Sequence, residues 1–107
     1  MPRPSPSGSE GNLFFGVVAY INGRTTIPVH ELRSLLASHG GVVEAYNTSR
    51  CTHMICESLP GAKIKQLRKC RHPPQVVRSD WVSDSVRSGR KLPTAKYLVE
   101  GIFVQRG

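Results

Sequence analysis

Two short groups of residues carry the types needed to hold an anion: Asn22-Gly23-Arg24 and Lys63-Ile64-Lys65. In the first, a turn-forming glycine frees backbone N–H groups beside an amide and a guanidinium. In the second, two ammonium groups sit where a helix is expected to begin. Backbone N–H clusters at helix starts attract anions, and ionised donors make the shortest, strongest bonds to phosphate oxygens. Arg68, Lys69 and Arg71 follow, so residues 63–71 hold five cations and no acid. Arg87, Arg90 and Lys91 form a second cluster. Such runs are often only solvated faces. At Lys63 and Lys65, however, a helix start disfavours cations, which weighs toward a function for them. The whole chain carries +8, from 15 basic and 7 acidic residues, with a pI near 10.0. The expected partner is therefore anionic: nucleic acid, a phosphoprotein or an acidic membrane surface.

Other chemistry is poorly supported. Cys51-x-His53-x-x-Cys56, with Cys70-x-His72 later, has the residue types of a zinc site. His53 and Cys56 are three apart on an expected strand, though, and so face opposite sides of a sheet. A Cys–His nucleophile pair meets the same objection and lacks an orienting third group. No two of the seven acids form a D-x-D or D-E pair of the kind a polymerase palm uses for metal ions. Neither a catalytic residue, a metal nor a cofactor is expected. Three cysteines, an odd number, suit free thiols in a reducing compartment.

The elements that must position the basic groups can be read in order. Phe14 to Ile21 is nearly all apolar, as in strands buried on both faces, and Asn22-Gly23 ends it. Pro28 opens a helix whose inner face is Leu32, Leu35, Leu36 and His39, stopped by Gly40-Gly41. Val42 to Tyr46 and Thr52 to Cys56 read as short strands, with Thr52 and His53 as a buried hydrogen-bonded pair. Pro60-Gly61 begins a second helix to Arg68, with Ile64 and Leu67 inward. Gln75 to Val77 is a fourth strand. Ser79 or Asp80 caps a third helix, Trp81 to Ser88, with Trp81, Val82 and Val86 buried and Gly89 at its end. The order βαββαβα predicts an α/β fold: a three-layer sandwich, a four-stranded mainly parallel sheet flanked by three helices. Residues 1–12 are dominated by Pro, Ser and Gly and are expected to be disordered, with no signal-peptide core. Residues 13–98 form the domain, and 99–107 an extension in which Ile102-Phe103-Val104 packs back. No apolar run approaches the roughly 20 residues of a membrane span.

Gly40-Gly41 after the first helix, Thr52-His53 opening the third strand and Trp81 early in the third helix resemble the BRCT domain. A narrower pattern is also present. It comprises Ile21-Asn22-Gly23, Glu31-Leu32-Arg33, His39-Gly40-Gly41, Tyr46, Thr52-His53-Met54-Ile55, Leu59-Pro60-Gly61-Ala62-Lys63-Ile64-Lys65 and Gly89-Arg90-Lys91-Leu92. It is similar to the N-terminal BRCT domain of the Y-family translesion polymerase that acts as deoxycytidyl transferase.

In that family, phosphate is held by a Ser or Thr and the next Gly at the end of the first strand, plus a Lys in the second helix. The resemblance puts Asn22 and Gly23 in the first two places and Lys65 in the third, with Lys63 beside it. Asn22 departs from the family pattern. Its amide donates to phosphate oxygens, but in a geometry unlike a hydroxyl's, which argues against phosphopeptide recognition of the usual kind. The resemblance thus implies a non-catalytic, nuclear, monomeric module of a translesion polymerase. It implies binding to DNA with a 5′-phosphate or a primer–template junction, through Asn22, Gly23, Arg24, Lys63, Lys65, Arg68 and Lys69, and recruitment to stalled forks. The alternative is a protein-interaction module for a phosphopeptide or the replication sliding clamp.

Overall fold

The computed structural model describes residues 12–99. Its elements are β1 (Val18–Ile21), α1 (Val29–Ser38), β2 (Val42–Glu44), β3 (His53–Ile55), α2 (Gly61–Arg68), β4 (Gln75–Val77) and α3 (Asp80–Ser88), then a 3-10 turn at Ala95–Tyr97. The strands lie in the order β2-β1-β3-β4, and every pair is parallel. Val18 is opposite Val42, Ala19 opposite His53 and Met54 opposite Val76. The α/β sandwich expected from the order of elements is the fold adopted. An antiparallel bridge, Val77 to Leu98, docks the end of the domain on the sheet edge.

Each face of the sheet has its own core, because alternate residues of a strand point to opposite sides. On the α1 and α3 side, Ala19, Ile55 and Val77 pack with Phe14, Leu32, Leu36, Trp81 and Val82. On the α2 side, Met54, Cys56 and Val76 pack with Leu67 and Val99. The central strand β3 is therefore buried at all three positions, as a parallel strand covered on both faces must be. His53 stacks on Trp81 while Cys56 lies in the α2-side core. The two potential metal ligands are thus on opposite faces. Trp81 also packs against Phe14, and its indole N–H donates to the Leu92 carbonyl at 2.9 Å.

The sequence overestimates the strands. The apolar run from Phe14 begins as a turn: Val17 N–H donates to the Phe14 carbonyl at 2.9 Å and Gly16 adopts φ 88°. Pairing starts only at Val18. Phe14 nonetheless needs its apolar character, since it is completely buried. The second strand ends at Glu44, leaving Tyr46 exposed. Thr52 is exposed rather than buried; its hydroxyl oxygen accepts the Val18 N–H at 2.9 Å and lies 2.7 Å from His53 Nδ1. In α3 the buried stripe is Trp81, Val82 and Ser85, with Val86 half-buried. Gly40 and Gly89 take the left-handed conformations that end their helices, φ 86° and 77°. The expectations for residues 1–11 and for Ile102-Phe103-Val104 lie outside the described residues.

Candidate phosphate and nucleic-acid interface

The candidate site lies beyond the carboxyl ends of β1 and β3, where open parallel sheets place their ligand groups. Asn22 still belongs to the sheet in one respect, because its backbone N–H donates to the Ile55 carbonyl at 2.9 Å. Its side-chain amide leans on the Met54 thioether, 3.9 Å away. The chain turns at Gly23, whose φ of 73° would strain any residue with a side chain. The Gly23 N–H has no hydrogen-bond partner among the described residues. Arg24 follows, exposed and in no salt bridge among those residues.

Facing this turn is the start of α2. Pro60 precedes the helix and contributes no side-chain cap, and the first amides, of Gly61 and Ala62, find no acceptor among the described residues. Between the two segments opens a cleft of about 760 Å³, lined by Asn22, Gly23, Arg24, Lys63 and Gln66, with Glu57 among them. The fold therefore brings together four of the seven expected site residues: Asn22, Gly23, Arg24 and Lys63.

Lys65, Arg68 and Lys69 lie elsewhere. They are exposed, and none lines the cleft. The helix is only eight residues long, so Lys65 falls in its last turn together with Arg68. There the helix dipole favours a cation, so the dipole argument for a functional Lys holds for Lys63 and not for Lys65. Three acids of the domain pair with arginines outside α2. Glu44 pairs with Arg50, Asp80 with Arg78 and Asp84 with Arg87.

Glu57 is the residue that sequence reasoning missed. It brings a carboxylate into an otherwise basic cleft. Its Oε2 accepts the Thr26 N–H at 2.9 Å, the Ser79 N–H at 3.3 Å and the Ser79 hydroxyl. Partial burial would raise its pKa, but the bonds from Ser79 and Thr26 outweigh that and hold the carboxyl below its ordinary 4.5. Ser79 therefore does not cap α3 with its side chain; the hydroxyl is spent on Glu57. One signal was available. Glu57 directly follows the apolar run of a central strand, the position from which parallel sheets present polar groups.

Comparison with known proteins agrees with the fold. The family model of the BRCA1 C Terminus (BRCT) domain matches residues 9–86. The DNA repair protein REV1 of Arabidopsis thaliana is 38% identical over 96 residues, which are 88% of this chain and 9% of that protein. The DNA repair protein XRCC1 of Homo sapiens is 31% identical over 102 residues, 94% of this chain and 16% of that protein. The solution structure of the BRCT domain from human REV1 superposes with a TM-score of 0.74 at 36% identity, covering 92% of this chain and 98% of that one. The chain spans about a tenth of the REV1 relative's length. Its parallel four-stranded sheet, its three helices and these similarities assign the chain to the BRCT domain family, where it is similar to the BRCT domains of REV1 DNA repair proteins.

Proposed function

We propose that this domain is a non-catalytic, nuclear DNA-binding module of a REV1-type translesion polymerase, whose parent chain transfers dCMP. It holds the 5′-phosphate of a recessed end or primer–template junction and helps bring the parent to stalled replication forks. The observation that carries this reading is the convergence on one open cleft of Arg24, Lys63 and the Gly23 N–H, which has no hydrogen-bond partner among the described residues. A phosphate there accepts from the Gly23 amide and the α2 start while Lys63 and Arg24 supply charge. The Asn22 N–H is already committed to Ile55, so Gly23 is the principal backbone donor of the turn. Lys65, exposed on α2, and Lys69, exposed at its C-terminal end, contact the duplex backbone and make binding steeply salt-dependent.

The test is the affinity of the domain for a duplex with a recessed 5′ end, with and without the 5′-phosphate, for the wild type, Lys63→Ala and Lys65→Ala. Phosphate removal and Lys63→Ala should each weaken binding, and their effects should not add, because they act at one place. Lys65→Ala should weaken both DNAs equally. Affinity indifferent to the phosphate would overturn the end-binding reading and leave a phosphopeptide or the sliding clamp as occupant of the cleft.

A further inference from the structure

A second cavity, of about 430 Å³, opens at the other end of α2. It lies between the β2–β3 connection, which contributes Asn47, Thr48 and Ser49, and the α2–β4 connection, which contributes Arg71 and His72. Unlike the first cleft, its lining contains no carboxylate among the described residues. The Ser49 hydroxyl and the Asn47 amide have no hydrogen-bond partner among the described residues, and Arg71 is in no salt bridge there. A guanidinium, an imidazole, hydroxyls and an amide around one hollow form a donor set for phosphate oxygens.

The α2 helix joins the two cavities. It starts at the cleft beside Lys63 and ends next to Cys70 and Arg71. Eight residues at about 1.5 Å each make it about 12 Å long. Winding round the duplex axis puts neighbouring phosphates of one DNA strand about 6–7 Å apart, although the rise along the axis is only about 3.4 Å, so a straight span of this length matches about two nucleotides. Lys65, within the helix, and Lys69, directly after it, are both exposed.

We propose that the Arg71 cavity is a second phosphate subsite, taking a backbone phosphodiester about two nucleotides from the 5′ end held in the first cleft. This deepens, and rests on, the reading of the domain as a DNA-binding module. The α2 helix then acts as a track that fixes the direction in which the strand leaves the end site. The end cleft selects the terminus; the Arg71 cavity measures strand continuation and carries no sequence information.

The experiment is a salt titration of binding to a 5′-phosphorylated recessed duplex by the wild type, Arg71→Ala and the control Arg90→Ala. Arg90 is a cation after α3 that lines neither cavity. Arg71→Ala is expected to weaken binding roughly threefold to tenfold at low salt and to reduce the slope of log affinity against log salt by about one. The ratio of affinities for phosphorylated and unphosphorylated ends should stay unchanged, and Arg90→Ala should match the wild type. Replacing the phosphodiester about two nucleotides from the end by an uncharged methylphosphonate should abolish the difference between Arg71→Ala and wild type. The proposal is overturned if Arg71→Ala retains the wild-type slope, loses no more than Arg90→Ala, or changes the phosphate ratio instead of the slope. A wild type that ignores the end phosphate while Arg71→Ala still flattens the slope would reject end recognition and keep the subsite, so the two failures are distinguishable.

Discussion

Glu57 and Ser79 are joined twice: the Ser79 hydroxyl and the Ser79 N–H both donate to the same carboxylate oxygen, the latter at 3.3 Å. With Thr26 N–H as a third donor at 2.9 Å, this one oxygen ties the end of β3, the loop after β1 and the start of α3. The wall of the basic cleft is thereby held by an acid. The bonds offset part of that charge, but its sign still opposes a phosphate in the cleft.

Glu57→Gln should therefore separate binding from stability. Affinity for 5′-phosphorylated DNA should rise about twofold to fivefold, the scale of an exposed charge pair, while thermal stability falls because charge-assisted bonds become neutral ones. The folded-state pKa lies below 4.5, so this carboxylate contributes stability above that value and loses it as the pH falls through the folded value. Glu57→Gln should accordingly flatten the stability profile below about pH 4.5. A fall in affinity for phosphorylated DNA, with the fold intact by circular dichroism, would sink the electrostatic role.

His53 gives a different acid sensitivity. Its ring lies 4.7 Å from Trp81 at 11°. Burial first, and then the positive charge of Lys91, push its pKa down from 6.5 to about 4. Between those two values the unfolded chain binds a proton that the folded chain refuses, so stability falls as the pH is lowered through that window. The loss between neutral pH and pH 5 should be about 2 kcal/mol by urea denaturation. His53→Phe keeps an aromatic stack and should remove that slope; an unchanged slope in the variant would rule out His53 as its source.

Gly41 should resist substitution for a reason unlike that of Gly40. Gly40 needs its left-handed φ of 86°. At Gly41 a Cβ would stand 3.0 Å from the Leu36 carbonyl oxygen and 3.2 Å from Phe14 Cβ. The Gly41 N–H meanwhile donates to that same carbonyl at 2.8 Å, so the backbone cannot withdraw without losing the bond. Gly41→Ala should cost about 1–3 kcal/mol, as overpacking of a closed contact does, read as a lower urea midpoint at unchanged m-value. A change within about 0.5 kcal/mol, the usual range of a tolerated surface substitution, would show that Phe14 moves aside freely.

Local chemistry determined the order of elements and the two faces of the sheet. Leu32 and Leu36 at helical spacing, three residues of β3 buried together, Pro60-Gly61 at a helix start and Gly89 at a helix end each act within a few residues, so the sequence alone suffices to read them. The same holds for the concentration of charge on residues 63–71 and for the turn at Gly23. The start of β1 was not legible. An apolar run shows that Phe14 is buried, but not whether it is buried from a strand or, as here, from a turn under Trp81. Which lysine faces the cleft was also decided in three dimensions, by the short length and docking of α2, which put Lys63 on the wall and Lys65 outside it. Glu57 is the clearest case. Its partners are 31 residues before it and 22 after it. Only the closure of β1 and β4 on either side of β3 makes one carboxylate the anchor of three segments and sets an acid inside a basic cleft.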